Sequence, residues 1–355
     1  MLDKTTLKNR ILVLDGAMGT MIQRYNLTEE DFHKGLPENS HELKGNNECL
    51  NISHPEIIEE IHKEYIAAGA DIIETNTFSA NRISQKEYGT EALAYTLALE
   101  GARIARRVAG SEILVFGSVG PTSKSLSLAP DINNPAERPY SFRDMVEAYD
   151  EQIRGLIDGG VDAILIETCF DALNTKAALY ALEKIDRHFP AVVSVSVNDK
   201  SGRTLTGQTL QAFYTSVSHY PLLAFGLNCS LGADDLTPLL NEVAGFSLFP
   251  VSCYPNAGLP NEMGGYDETP EEMAESVRKM AEAGLLNIIG GCCGTTPAHI
   301  AAISAAVKGL KPRAIPEDPT GGLLTVSGLE PTSIHLKRRN LTNIGARTNV
   351  AGPGK

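Results

Sequence analysis

DAILIETCFDALNTKAALYALEKIDRHFPAVVSVSV, residues 162–197, contains a complete strand–helix–strand unit whose pattern repeats along the chain. Asp162–Glu167 and Ala191–Val197 are short, nearly unbroken apolar runs, which suits strands buried on both faces of a parallel sheet. Ala172–His188 between them carries apolar residues at helical spacing. Working outward, the same kind of strand is predicted at Ile11–Asp15, Asp71–Thr75, Ile113–Ser118, Leu222–Asn228, Ser247–Cys253 and Asn287–Gly291. One helix is opened by Ser53-His54-Pro55-Glu56 and ended by Gly69; another follows Ser141 and stops at Gly159-Gly160. Further helices are predicted at Glu91–Ala109, Thr269–Ala283 and Pro297–Val307, with shorter ones at Gln208–Val217 and Asp234–Val243. Thr269 before Pro270 pairs a capping residue with a proline at the first helical position.

Eight strands alternating with eight helices predict an α/β fold, a (β/α)8 TIM-type barrel, as the domain at residues 1–310. An open doubly wound sheet shows the same alternation, but no G-x-G-x-x-G follows the first strand, where a dinucleotide fold places it. Beyond Leu310, KPRAIPEDPTGG is rich in proline, glycine and charge. Residues 311–355 are expected to be a linker tail and a stub too short to bury its own core.

The 355 residues carry 31 Lys and Arg against 44 Asp and Glu, a formal charge of −13. That balance excludes a nucleic-acid partner, which needs concentrated basic residues; Lys337-Arg338-Arg339 reads as a solvated tail. No apolar run reaches the ~20 residues of a membrane span. MLDKTTLKNR at the start lacks the apolar stretch of a secretory leader, so the expected compartment is cytoplasmic. There, the six cysteines, Cys49, Cys169, Cys229, Cys253, Cys292 and Cys293, read as metal-binding or catalytic before they read as disulfides.

Catalytic residues of such barrels sit at the C-terminal strand ends. Cys229 follows the sixth predicted strand, and Cys292-Cys293 follow the eighth, so three thiols can converge on one rim. Three protein ligands leave one position open on a tetrahedral zinc, the arrangement of catalytic rather than structural sites. Gly291 and Gly294 allow the sharp turn that adjacent ligands need. The bland reading is three small buried hydrophobes at tight strand ends. H-E-x-x-H is absent. An all-thiolate set weakens zinc as a Lewis acid, and a substrate thiol joining it still loses its proton while keeping a nucleophilic sulfur.

Asp15, Glu74 and Glu167 also lie at strand ends, where a carboxylate can anchor a substrate amino group or merely cap a helix. Backbone N–H groups at Gly16, Ala17 and Met18 suit a carboxylate or, equally, a phosphate. A barrel handling a phosphorylated metabolite is therefore a second hypothesis, and Glu167 with Asp171 has the look of a glycosidase pair. Tyr254 and Phe78 are candidate pocket walls.

DGAMGT at Asp15–Thr20, ETNTF at Glu74–Phe78, IET at Ile166–Thr168, LNCS at Leu227–Ser230 and GGCCGT at Gly290–Thr295 together resemble one family. They are similar to the homocysteine-binding module of cobalamin-dependent methionine synthases, within the homocysteine S-methyltransferases, and the likeness spans the whole barrel. The resemblance implies one Zn2+ per chain on Cys229, Cys292 and Cys293, with L-homocysteine sulfur at the open position. It implies that Glu167 with Asp15 binds the substrate amino group and that the Gly16–Met18 backbone takes its carboxylate. Asn76 and Asn256 complete the implied contacts, Asn256 filling the open zinc position when substrate is away.

Methionine is the implied product. Single-module relatives use S-methylmethionine, S-adenosylmethionine or betaine, whereas methionine synthase takes the methyl group from methylcobalamin on a separate module. NIGARTNV, Asn343–Val350, resembles the entry strand of a folate-binding module and favours the cobalamin type, with cobalamin-binding and folate-binding modules as partners. Ala346 stands where the family pattern has Glu, which weakens any folate role there. A third hypothesis is a truncated module that binds zinc and homocysteine without turning over alone.

Overall fold

The computed structural model describes residues 6–38, 40–317 and 323–335. Eight parallel strands form the inner wall: β1 Leu12–Val13, β2 Ile72–Glu74, β3 Leu114–Val119, β4 Ala163–Cys169, β5 Ala191–Val195, β6 Ala224–Gly232, β7 Val251–Asn256 and β8 Ile288–Ile289. They pair in the order β1-β8-β7-β6-β5-β4-β3-β2. A parallel bridge between Leu14 and Ile72 joins the two ends, so the sheet closes on itself. The predicted (β/α)8 barrel is the fold, and the open doubly wound sheet is excluded by that closure.

The outer helices are Pro55–Ala67, Ala94–Ala109, Phe142–Asp158, Ala172–Ile185, Leu210–Val217, Ala233–Phe246, Pro270–Glu282 and Pro297–Val307. Their starts follow local chemistry. Ser141 and Thr269 each accept a hydrogen bond from the N–H three residues on, and Asp144 and Glu272 reach back to the cap in return. The segment between β1 and the first outer helix holds short helices that the sequence pattern did not reveal, among them Met18–Ile22 and Glu29–His33. Among the described residues no helix is long and apolar enough to cross a membrane.

Side chains on a strand alternate between barrel interior and helix layer. The lower interior positions, Leu12, Leu14, Ile72, Phe116, Ala163, Leu165, Val192, Ala224 and Ile288, form an apolar plug. Two residues further along their strands the interior positions turn polar, at Glu74, Ser118, Glu167 and Ser194, and four residues beyond Ile288 the chain reaches Cys292. The site is the upward continuation of the core.

Two pieces follow the barrel. The Arg313 guanidinium is buried under it, donating to the carbonyls of Ala244 at 2.6 Å, Ser247 at 2.7 Å and Phe249 at 3.2 Å. A hairpin, β9 Leu323–Ser327 and β10 Pro331–His335, lies against the helix Leu210–Val217. Thr209 N–H donates to the Leu329 carbonyl at 3.0 Å, and Glu330 pairs with Arg203. Asn343–Val350, Ala346 and the Lys337–Arg339 row fall outside the described residues.

Candidate active site

Irregularities at the strand ends aim the first thiol. The β4–β5 and β6–β7 pairings slip register beyond Ile166 and Asn228. There Thr168, Cys229 and Ser230 take left-handed backbone conformations, with φ of 54°, 61° and 64°. Such bulges cost energy for residues with a Cβ and re-aim side chains beside functional sites. Asn228 holds the two bends together. It accepts from the Thr168 N–H at 3.0 Å and the Ser194 hydroxyl at 2.7 Å, and donates to Thr168 Oγ1 at 2.9 Å.

The other two thiols come from the turn after β8. Cys292 N–H donates to the Pro255 carbonyl at 2.8 Å, and Ala257 N–H to the Cys293 carbonyl at 2.9 Å, so the turn is tied to the end of β7. Gly294 has φ of +80° and lies under the Tyr266 ring, so a side chain there meets both strain and a clash. Sγ of Cys229 and Cys293 are 3.8 Å apart, and those of Cys292 and Cys293 3.9 Å. All three lie within 4.8 Å of one another. A tetrahedral zinc with Zn–S bonds of ~2.3 Å has S···S edges of about 3.8 Å, so two of the three edges match one face of such a site and the third is within reach of it.

Their electrostatics point the same way. Hydrogen bonds from Cys229 and then Cys292 pull the Cys293 thiol down to about 3. Contacts with Cys229 and Cys293 push Cys292 well above the ordinary thiol range. Cys229, drawn down by Cys292 but raised more by Cys293 and burial, stands at about 11. Three thiols by themselves thus carry one negative charge, and a divalent cation is what allows all three to ionise.

The thiols open onto a cavity of about 340 Å³ that Asp15, Glu48, Glu74 and Glu167 also line. Among the described lining residues there is no Lys, Arg or His. Asp15 Oδ2 accepts from the Glu74 N–H at 3.1 Å, while its Oδ1 is enclosed without a partner, as are Glu74 Oε1 and the Tyr254 hydroxyl. Ser118 donates to Glu167 Oε1. Burial, above the other causes, pushes Asp15 and Glu74 well above the carboxylate range and Glu167 up to about 7.

Of the expected residues, the cavity brings together Asp15, Gly16, Ala17, Met18, Asn76, Glu167, Cys229, Cys292 and Cys293. Ala17 N–H is already donated to Thr295 Oγ1 at 3.1 Å, which takes it out of the expected carboxylate-binding set and leaves Gly16 and Met18 to that turn. Gly16 is required there, since a Cβ would come within 2.7 Å of Thr295 Oγ1 and 2.9 Å of the Tyr65 ring. Asn76 Nδ2 is held by the Asn47 carbonyl at 2.8 Å and Asn51 Oδ1 at 2.9 Å, so it props the wall. Asn256 is buried at the end of β7 with Oδ1 unpartnered, outside the cavity lining. Asp171 caps the helix Ala172–Ile185 by accepting from Leu173 N–H and does not line the cavity, which removes the glycosidase pair. The phosphate hypothesis loses its support as well, because a phosphate brings no positive charge of its own to offset four carboxylates, and no cation among the described residues lines the cavity.

Residue-by-residue reading missed Ser118 and Asn228 as partners of the site, and Tyr266, whose ring packs over Gly294 beside the thiols and helps to lower the Cys293 thiol. The first two sit at recognisable strand ends; Tyr266 is in a loop, where nothing local marks it.

Fold and site together define a (β/α)8 barrel with an acid-lined cavity and, at its C-terminal rim, a cluster of three thiols close enough to hold a metal ion. The family model described as homocysteine S-methyltransferase matches residues 12–307. The metallated form of the homocysteine methyltransferase MmuM from Escherichia coli is similar, at 26% identity and a TM-score of 0.64 over 84% of this chain and 96% of that one. The oxidized form of the same enzyme superposes with a TM-score of 0.65 at 22% identity, over 83% and 95% of the two chains, a likeness that concerns the fold alone. The chain belongs to the homocysteine S-methyltransferase family.

Proposed function

We propose that this chain binds L-homocysteine in the acid-lined cavity, its sulfur beside Cys229, Cys292 and Cys293, and methylates that sulfur to give methionine. The observation that carries the reading is the spacing of the three sulfurs, 3.8 and 3.9 Å, at the edge of a cavity without a basic group. The three thiolates hold one zinc. A zinc held there would keep one position open for the substrate sulfur and would lower that thiol's pKa, so that its proton is lost to solvent at neutral pH.

The chain's own side chains do the positioning. Asp15 and Glu167 take the substrate ammonium, and Ser118 orients Glu167. Gly16 and Met18 offer backbone N–H groups to the substrate carboxylate, in a turn held by Thr295 and by the Tyr65 hydroxyl, which donates to the Ala17 carbonyl at 3.1 Å. Asn256 is the reserve ligand. The homocysteine sulfur forms the new S–CH3 bond, and the donor keeps the electron pair of the bond that breaks.

Methylcobalamin, held by a module outside this chain, is the donor in this reading, and NIGARTNV at 343–350 supports it through its likeness to a folate-module entry strand. The organisation is then a barrel at 1–310 followed by a connecting segment at 311–355, in the cytoplasm, where a reducing environment keeps closely spaced thiols free. The alternative, a stand-alone enzyme using S-methylmethionine, S-adenosylmethionine or betaine, is favoured by the likeness to MmuM.

The test is metal analysis of protein purified without chelator, then zinc-edge absorption with and without homocysteine. One zinc per chain whose sulfur count rises from three to four supports the reading, and no zinc, or a count unmoved by homocysteine, overturns it. Methionine formation from each donor class separates the two donor readings.

A further inference from the structure

Glu74 is a carboxylate with no structural task. It ends β2, lines the cavity, and its Oε1 is enclosed without a partner. Its backbone N–H holds Asp15, but among the described residues no hydrogen bond or ion pair uses its side chain. An enclosed carboxylate oxygen left without a donor is costly, so its retention calls for a ligand that supplies one. Two neighbours share the condition. Asp15, 2% exposed, lines the same cavity and also has an orphaned enclosed oxygen, and Glu167, 5% exposed, spends Oε1 on Ser118. The three carboxylates stand just after β1 and on β2 and β4, lining the cavity together with Tyr254, and among the described residues no basic side chain lines it to neutralise them.

An ammonium group carries three N–H donors and one positive charge. Two carboxylate arms leave one N–H without a protein acceptor, whereas a third completes the set. We propose that Glu74 is the third arm of the substrate-ammonium site, so that Asp15, Glu74 and Glu167 each accept one N–H and the cavity selects a primary amine. This inference rests on the homocysteine reading above. It makes Glu74 a specificity-determining residue: an N-methylated or amine-free thiol leaves one or more of the three arms unpaired.

The experiment compares wild type, Glu74→Gln and Glu74→Asp in zinc-loaded protein by calorimetry. Two thiols are titrated, homocysteine and 4-mercaptobutyrate, which is homocysteine without its amino group; weak binding of the second is read by competition against the first. Glu74→Gln keeps size and loses charge, and it should weaken homocysteine roughly 10- to 100-fold, the range of a hydrogen bond to a charged group. Binding of 4-mercaptobutyrate should stay within about threefold of wild type, and Glu74→Asp should recover part of the homocysteine loss. Equal weakening of both thiols makes Glu74 a structural residue and overturns the proposal, as does unchanged homocysteine affinity. Failure of wild type to bind homocysteine is a different result, which removes the function reading itself.

Discussion

His62 gives the most closely calculable perturbation. It lies on the helix Pro55–Ala67, fully buried, with neither ring nitrogen partnered. Burial pulls it from the ordinary 6.5 down to about 4, against a small opposing pull from Glu59. The folded protein therefore keeps His62 neutral over a range in which the unfolded chain takes up a proton. A depressed histidine leaves stability intact above 6.5 and removes it as pH falls from there towards 4. At pH 5 the unfolded chain gains about 2 kcal/mol from that proton, from the linkage relation with the two values above. His62→Leu, of similar volume, abolishes the term. Equilibrium urea unfolding at pH 8 and pH 5 measures it: wild type should lose about 2 kcal/mol more than the variant between the two. Equal losses in both proteins would refute the reasoning, whatever the variant's stability at pH 8. The consequence reaches the site, because Tyr65 on the same helix donates to the carbonyls of Ala17 at 3.1 Å and Thr295 at 3.3 Å, supporting the substrate-binding turn.

Arg313→Met leaves three buried carbonyls at the barrel base without their donor, and should cost about 3–5 kcal/mol in urea unfolding; a loss below about 1 kcal/mol means water takes the place of the guanidinium. Glu167, raised by burial to about 7, and Asp15 and Glu74, raised well above the carboxylate range, must ionise to meet an ammonium, so affinity falls as pH drops through their titration. Methionine, which has the ammonium but no thiol proton to lose, should bind at least tenfold more weakly at pH 5.5 than at pH 8, by roughly one decade per pH unit below the titration; equal affinities place the ammonium elsewhere. Gly226→Ala puts a Cβ 1.8 Å from the Ser252 carbonyl oxygen in the neighbouring strand, and should cut soluble yield and melting temperature sharply, whereas Gly245→Ala, with open space around it, should change neither.

The eight strands were legible because each is buried on both faces and therefore written as an apolar run, punctuated by glycine, proline and capping residues. The motifs DGAMGT, ETNTF, LNCS and GGCCGT were legible as a family signature, and the thiols and acids within them as residues at strand ends. Periodicity has little to say about the segment from Thr20 to Ser53, whose helices are four or five residues long, too short for an amphipathic repeat to register. It was equally silent on the hairpin at 323–335, which is held by contacts to a helix more than a hundred residues earlier.

What the sequence determined by itself was the alternation, the barrel and the residue types at its rim, since these follow from local periodicity and from the rule that strand ends carry the chemistry. What only the tertiary structure decided was which of those residues meet. The distance between Cys229 and Cys293, separated by 64 positions, depends on barrel closure and on the register slip that turns Cys229 into a left-handed conformation. Asp171 and Glu167 are four residues apart, yet the end of β4 sends one into a helix cap and the other into the cavity. Sequence records chemistry one residue at a time, while contacts between distant strands are made by packing.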